Sequence, residues 1–230
     1  MKSESIQTYS IQFLKSLAKN NNRDWFNANK EKYLAAQENL AQCVDHLILE
    51  MNKHDDIENE SGKKSLFRIY NDVRFSKDKA PYNARFAFAL SRSTKLRRGS
   101  YYLSIKPGNS FLACGFFGPN PSDLKLIRDQ IAANPDALQK ILKSKSIVKN
   151  FGALHGDKVA TVPRGFDVNQ KGIDLIRHKQ FILRHTFNDE EILSKDFLKQ
   201  VNLLFKSQRP FLDYMSEILS TNINGESLYE

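Results

Sequence analysis

Cations and aromatic side chains are interleaved between Leu66 and Tyr82, and this part of the sequence is best suited to chemistry. Its cations are Arg68, Arg74, Lys77 and Lys79, and its aromatic residues are Phe67, Tyr70, Phe75 and Tyr82. Arginine can hold a phosphate or carboxylate through two parallel N–H bonds, and lysine supplies a mobile charge. Aromatic faces stack on planar groups or brace guanidinium planes. The segment therefore predicts a binding site for an anionic, phosphorylated small molecule.

Two acids, Asp72 and Asp78, lie among these cations. In an extended strand, Arg68, Tyr70, Asp72 and Arg74 would share one face. In an enzyme, the cations would stabilise charge that develops on a phosphoryl or acyl oxygen, and Asp72 would be the candidate base. Ion pairs between the two acids and their basic neighbours are the simpler interpretation. The sequence therefore predicts no particular reaction and no catalytic residue beyond the candidate Asp72.

Two cations elsewhere in the chain are predicted to help hold the same ligand. The full set of predicted binding residues is Arg68, Tyr70, Arg74, Lys77, Lys79, Tyr82, Arg128 and Lys179. Two other interpretations of the central segment stay open. It could be a sheet edge that solvated charges protect against aggregation, or a protein-interaction surface without catalysis whose exposed aromatic residues anchor a partner.

Common catalytic and cofactor signatures are absent from the sequence. It contains no glycine-rich dinucleotide fingerprint, no P-loop and no nucleophile elbow. The five histidines do not pair with each other or with a cysteine at zinc spacing. His178 and His185 flank a predicted late strand, where two partly exposed polar side chains are the simpler interpretation. Cys43 and Cys114 lie far apart, which indicates reduced thiols. We therefore predict no metal and no cofactor.

Positive charge is concentrated in one part of the chain. The formal net charge is +9, and twelve basic residues against two acidic ones lie between residues 63 and 106, so this stretch alone carries about +10. A basic stretch makes nucleic acid the alternative ligand. That interpretation adds a basic loop backed by two tyrosines: Arg92, Lys95, Arg97, Arg98, Tyr101 and Tyr102. None of the common nucleic-acid-binding motifs accompanies it.

The composition predicts a folded protein without a membrane partner. The chain is 40% hydrophobic and 11% aromatic, which is too rich for disorder. It contains no apolar run of about 18 residues, and its first ten residues are polar where a signal peptide would be apolar. We therefore predict a soluble, cytoplasmic protein. The sequence predicts no oligomeric state.

Hydrophobic periodicity predicts helices towards both ends of the chain and strands between them. The N-terminal helices cover about 8–52 and include one long helix over 24–51. Alternating residues predict strands over 85–90, 99–106 and 110–117, with a tight turn at 106–109 and an additional strand over 66–75 that could equally contain a turn.

The C-terminal part, about 120–222, is predicted to be mixed. A helix should begin after Asn120 as its N-cap, and a strand should cover 180–187. Pro210 lies between two helices or inside one kinked helix. Together these elements predict a single α+β domain over 1–230. Its mainly antiparallel sheet of about 4–6 strands lies in the basic core (about 65–118) and is flanked by N-terminal and C-terminal helices.

One family has a signature that residues 67–82, FRIYNDVRFSKDKAPY, resemble. It is the Domain of Unknown Function 2461, conserved hypothetical proteins of bacteria and fungi. Shorter matching strings extend over most of the chain: Phe13-Leu14, Arg23-Asp24-Trp25-Phe26, Tyr101-Tyr102 to Gly115, Leu126-Ile127-Arg128, 163–167 and 175–179. The chain departs from the family at Asn83, where Lys is more frequent, so a cation there is not essential to this protein. The resemblance implies one globular domain and brings no reaction or cofactor.

Overall fold

The computed structural model describes residues 5–72, 74, 79–222 and 226–229. The predicted α+β class is confirmed, with an antiparallel sheet of four strands in the order β1-β2-β3-β4. The strands are β1 (Phe86–Ser91), β2 (Ser100–Ile105), β3 (Ser110–Phe116) and β4 (Phe181–Phe187). The helices are α1 (Thr8–Lys19), α2 (Arg23–Ala28), α3 (Lys30–Met51), α4 (Gly62–Ser65), α5 (Pro121–Ala133), α6 (Pro135–Leu142), α7 (Lys145–Phe151), α8 (Ile173–Ile176), α9 (Asp189–Leu193), α10 (Phe197–Ser207) and α11 (Arg209–Ser220).

The chain forms two compact units, each made from three separate segments. Unit 1 comprises Met1–Leu90, Tyr102–Leu112 and Thr186–Leu203, and unit 2 comprises Ser91–Tyr101, Ala113–His185 and Leu204–Glu230. The prediction of a single domain over 1–230 stays a prediction. None of the described helices is both long enough and apolar enough to cross a membrane.

An aromatic cluster forms much of the core of unit 1, between its first helices. Phe13 of α1, Phe26 of α2 and Tyr33 of α3 lie with their ring centroids 5.1 to 6.4 Å apart. The predicted helix over 24–51 is wrong at one point, because Asn29 separates α2 from α3. The Asn29 amide donates to the Trp25 carbonyl at 2.9 Å. Such side-chain bonds to the preceding turn compete with helix continuation.

The segment before β1 folds back on itself instead of forming the predicted strand over 66–75. Isolated antiparallel bridges join Leu66 to Phe88 and Tyr70 to Tyr82. The Asn83 backbone N–H donates to the Ile69 carbonyl at 2.7 Å, and this bond joins the two ends of the segment just before β1. Val73 and Phe75 of the predicted strand lie outside the described residues. The alternative prediction of a turn at Tyr70-Asn71-Asp72 is not met either, because Tyr70 is bridged to Tyr82 and the Asn71 backbone N–H donates to the Pro81 carbonyl at 2.9 Å.

The predicted hairpin between β2 and β3 is present in the structure. Its turn is closed by the Asn109 N–H, which donates to the Lys106 carbonyl at 2.8 Å, while Gly108 has a φ of 74°. Glycine takes this conformation without steric cost, which is why a Pro-Gly pair predicts the turn. Tyr101, Leu103 and Ile105 on β2 are fully buried, as their alternation predicts.

Beyond β3, the elements follow the predicted boundaries closely. The side chain of Asn120 accepts the Asp123 N–H and caps α5. Two separate helices, α10 and α11, meet at Gln208, and Pro210 lies in the first turn of α11. Proline is tolerated there because the N–H that it lacks would have no partner in the helix.

Candidate anion-binding site

Arg74 and Asp72 of the predicted site bind each other. Arg74 donates from Nε to Asp72 Oδ1 at 2.9 Å and from its second terminal nitrogen to Oδ2 at 2.7 Å. Hydrogen bonds from Arg74 lower the pKa of Asp72. A carboxylate that holds a proton weakly is a poor general base at neutral pH. Both side chains are exposed, so this pair resembles the simpler interpretation, an ion pair between neighbours.

Tyr82 of the predicted site lies in the aromatic core. Its ring stacks on Phe26 with centroids 4.0 Å apart, and the residue is only 5% exposed. Burial and the nearby Tyr70 raise the pKa of Tyr82. Tyr70 contacts both rings at its edge, while about half of its own surface is exposed. Tyr82 therefore packs the end of the segment 66–82 into the core, and Tyr70 remains accessible to a ligand.

Two other cations of the central segment lie at the surface. Arg68 and Lys79 are exposed, and buried Ile69 beside Arg68 agrees with the predicted division into two faces. Arg68 forms no hydrogen bond or ion pair with the described residues. Lys77 and Asp78 lie outside the described residues, so the prediction for Lys77 as a binding residue stays a prediction.

Arg128 and Lys179 both belong to unit 2. Arg128 donates from Nε to the Ile176 carbonyl at 2.8 Å and from a terminal nitrogen to the His178 carbonyl at 3.3 Å. Burial lowers the pKa of Arg128. Its guanidinium therefore satisfies carbonyls at the end of α8, which is a structural use. Lys179 is exposed.

A second group of cations in unit 1 faces a small cleft on the sheet. This sheet cleft has a volume of about 220 Å³, and its polar and aromatic lining residues are Asn83, Arg85, Ser104, Lys106, Asn109 and Phe111. β1 begins just after Arg85, β2 ends just before Lys106, and β3 begins near Phe111. In an antiparallel order β1-β2-β3, the start of β1, the end of β2 and the start of β3 lie at the same end of the sheet. Strand pairing therefore brings Arg85 and Lys106 together.

The lining of the sheet cleft is positively charged, because it contains two cations and no acid among its described residues. The Arg85 guanidinium donates to the Tyr102 hydroxyl at 3.1 Å, which fixes its position without neutralising its charge. Neither Arg85 nor Lys106 forms an ion pair with a described residue. A guanidinium has five N–H donors, so most of those on Arg85 remain for a ligand.

The turn that carries Lys106 is held in place by side chains. The Ser110 hydroxyl donates to the Lys106 carbonyl at 2.8 Å and accepts the Lys106 N–H at 2.9 Å. At the tip, the Gly108 N–H donates to Asp189 at 2.7 Å, and Lys15 pairs with the same carboxylate at 2.9 Å. These bonds lower the pKa of Asp189. The backbone around Lys106 is therefore fixed before any ligand arrives.

In the sequence, Arg85 and Lys106 are noticeable only as part of the total charge. Each lies at the end of a strand with no unusual neighbours in sequence, so a local pattern does not distinguish them. The signal that could have found them is the predicted meander itself. In any such sheet, one end is formed by the start of the first strand, the end of the second and the start of the third.

Two of the loop cations of the nucleic-acid interpretation are engaged in ion pairs. Arg92, whose side chain is 1% exposed, pairs with Asp213, and Arg98 pairs with Asp123 at 2.5 Å. Tyr101 is fully buried and is absent from the surface that this interpretation requires. The accessible basic surface of this loop in unit 2 is therefore smaller than its charge count predicts.

Other candidate groups take structural roles. Nδ1 of His178 lies 3.1 Å from the Gln180 carbonyl, and Nδ1 of His185 lies 2.6 Å from the Asn150 carbonyl. Cys43 and Cys114 are buried and form no disulfide among the described residues, and burial raises the pKa of Cys114 well above its usual value. Within the described ranges, His, Cys, Asp and Glu form no group of three that could hold one metal ion.

Comparison with known proteins identifies one family. A family model described as "Conserved hypothetical protein (DUF2461)" matches residues 9–214, which is most of the chain. No curated protein and no solved structure matches.

Proposed function

This chain belongs to the DUF2461 family, and we propose that it binds an anionic, phosphate-bearing small molecule in the sheet cleft. One observation carries the proposal: Arg85 and Lys106 line the same cleft, and no acid lines it with them. Two cations that converge without a carboxylate repel each other, so an anion between them removes this repulsion and adds charge-assisted hydrogen bonds. We propose binding and no reaction, since the candidate base Asp72 is engaged by Arg74.

The contrast with five arginines that are already bound to acids or carbonyls supports this choice of residues. Arg74, Arg92, Arg98 and Arg209 each lie within ion-pair distance of an aspartate. Arg128 is occupied by two backbone carbonyls. Arg85 donates to a neutral hydroxyl, which orients it and leaves its charge for a ligand. The sequence-based set of Arg68, Arg74, Lys77 and Lys79 remains the competing location for the same function.

Calorimetric titration with inorganic phosphate and pyrophosphate tests the proposal. We expect pyrophosphate to bind the wild type, and we expect Arg85→Ala and Lys106→Ala each to weaken it about tenfold or more, since bonds to charged groups contribute about 1.5–3 kcal/mol. Arg74→Ala is the matched control, because it removes an exposed cation from another part of unit 1. It should change the affinity less than about twofold by the same scale.

Two results would contradict the sheet cleft as the anion site. The first is absence of binding for both probes at millimolar concentration with variants and wild type equally folded by circular dichroism. The second is a loss with Arg74→Ala as large as the loss with Arg85→Ala, which would place the anion at the segment predicted from the sequence instead.

Nucleic-acid binding is the second candidate function, and one observation favours it. Two aromatic side chains, Tyr102 of β2 and Phe111 of β3, lie side by side on adjacent strands with centroids 5.7 Å apart. Single-stranded RNA is commonly recognised by aromatic residues on a sheet surface. Against it stands the small number of available cations, because Arg92 and Arg98 are paired in unit 2.

A further inference from the structure

Three aromatic rings lie in a row on the sheet beside the proposed anion site. Phe67 lies 6.0 Å from Tyr102 between ring centroids, and Tyr102 lies 5.7 Å from Phe111. Phe111 lines the sheet cleft itself. Phe67 is 53% exposed, although its backbone N–H is fixed to the Ala87 carbonyl at 2.8 Å. This ring row, Phe67, Tyr102 and Phe111, is therefore an apolar surface in which Phe67 is exposed and the other two rings are partly exposed.

The ring row and the cations are physically linked. The hydroxyl of Tyr102, the middle ring, accepts the hydrogen bond from Arg85 at 3.1 Å. The guanidinium thus lies beside the hydroxyl edge of the middle ring. If the anionic group of a ligand bound Arg85 and Lys106, the neighbouring part of that ligand would lie against an aromatic surface.

Two amides complete the surroundings of the cleft. Asn83 and Asn109 both line it, and their side chains form no hydrogen bond with the described residues. An amide side chain offers two donors and one acceptor, which matches the mixed donor and acceptor edges of a nucleobase. A purely apolar partner would leave these groups without use.

We infer that the ligand of the sheet cleft is a mononucleotide, whose phosphate binds Arg85 and Lys106 and whose base stacks on the ring row. The inference rests on the proposed anion site. Stacking of a base on an aromatic side chain is favourable for every base, since each has a flat π-face. A single nucleotide fits the cleft of about 220 Å³ better than a strand does, because strands need cations along several nucleotides.

The test compares ligands that share a phosphate and differ in the base. Adenosine 5′-monophosphate, ribose 5-phosphate and inorganic phosphate are titrated into the wild type and three variants. We expect the nucleotide to bind the wild type about fivefold or more tightly than ribose 5-phosphate, because the stacked base adds affinity. Phe67→Leu keeps an apolar side chain but removes the ring, so it should cancel most of this difference.

Two further variants separate stacking from charge. Arg85→Ala should weaken the nucleotide and ribose 5-phosphate by the same factor, since both use the phosphate contact. Tyr9→Leu is the matched control for Phe67→Leu, because Tyr9 is another ring of unit 1 with about half of its surface exposed. It should leave both affinities unchanged.

The outcomes distinguish this inference from the function on which it rests. Equal binding of the nucleotide and ribose 5-phosphate, with Arg85→Ala weakening both, would overturn the mononucleotide and leave the anion site standing. No binding of any of the three ligands would contradict both. A single-stranded 12-nucleotide oligomer that bound about a hundredfold more tightly than the mononucleotide would overturn the inference in favour of nucleic acid.

Discussion

The arginines of this protein differ in what satisfies their guanidinium groups, and that difference decides which of them can hold a ligand. Arg92 is buried and bound to Asp213 and the Ser216 hydroxyl, so its removal would take a buried cation away from Asp213 and leave a cavity. Arg74 is paired with Asp72 at the surface. Arg85 alone of these three donates only to an uncharged oxygen among the described residues. Its charge remains available, which is the property that an anion site requires.

The sheet cleft should gain affinity when a cation is added to its wall. Asn83 lines the cleft, and its side chain forms no hydrogen bond with the described residues, so Asn83→Lys breaks no side-chain hydrogen bond. We expect pyrophosphate to bind this variant about threefold to tenfold more tightly, since a third charge-assisted bond becomes available. Gln12→Lys, on α1 in unit 1, makes the same change in net charge and should leave the affinity unchanged. Equal gains in both would show that only the overall charge matters.

His178 should make the stability of unit 2 depend on pH. Burial lowers the pKa of His178, and the charge of Lys158 adds to this effect. Below the ordinary histidine value of about 6.5, the unfolded chain gains a proton that the folded protein does not, so stability is full above that value and falls as the pH drops.

His178→Gln should therefore reduce the acid sensitivity of unfolding. Between about pH 7.5 and about pH 5.5, the wild type should lose up to about 1.4 kcal/mol more of its free energy of unfolding than the variant, measured with urea. His155→Gln, at an exposed position, serves as the control and should follow the wild type. If His178→Gln and the wild type lose the same amount, the buried histidine does not contribute.

At the scale of the strands, Gly115 of β3 should be far harder to replace than Gly108 of the β2–β3 turn. It has a φ of 131°, and a Cβ at this position would lie 2.0 Å from the Phe181 carbonyl oxygen of β4. Gly108 in the β2–β3 turn also has a positive φ, of 74°, but a Cβ there meets nothing within 4 Å. Gly115→Ala should cost about 3 kcal/mol or more, and Gly108→Ala about 1 kcal/mol, measured by urea unfolding. Equal losses would mean that β4 can shift away from the added carbon.

Local patterns predicted the strands and the hairpin of this protein because alternation and turn chemistry are properties of adjacent residues. Pro107 and Gly108 specify the turn wherever the hairpin lies in the fold. The break at Asn29 was not predicted, since its cause is one side-chain bond to the Trp25 carbonyl inside an uninterrupted helical pattern. An asparagine in a helical pattern can continue the helix or interrupt it, and the sequence alone does not decide between the two.

The candidate site was harder to predict, because it depends on pairing between strands. Arg74 and Asp72 are two residues apart, and their ion pair was the simpler interpretation of the sequence. Arg85 and Lys106 lie 21 residues apart and meet only through the register of β1 with β2. The local density of charge in the sequence therefore favoured the segment before the sheet. Strand pairing instead brings Arg85 and Lys106, which have no ion pair with the described residues, together at one end of the sheet.

For the whole molecule, the net charge of +9 should produce weak, general attraction to polyanions that is separate from binding in the cleft. Association with a duplex oligonucleotide should fall about tenfold or more between about 50 and 200 mM salt, because phosphate contacts release counterions. Binding of adenosine 5′-monophosphate should change less than about threefold, since one small ligand releases few ions. Fluorescence anisotropy and calorimetry measure the two affinities.

A charge-reversed variant separates these two kinds of binding. Lys143 and Lys145 are exposed residues of unit 2, and each exchange to Glu lowers the net charge by two. The double variant should lose duplex binding at low salt while keeping its affinity for adenosine 5′-monophosphate, because the cleft lies in unit 1 and keeps Arg85 and Lys106. Arg85→Ala should show the opposite pattern, since it lowers the total charge by one but removes the main contact in the cleft. Parallel losses in both variants would mean that net charge, and no particular site, attracts anions to this protein.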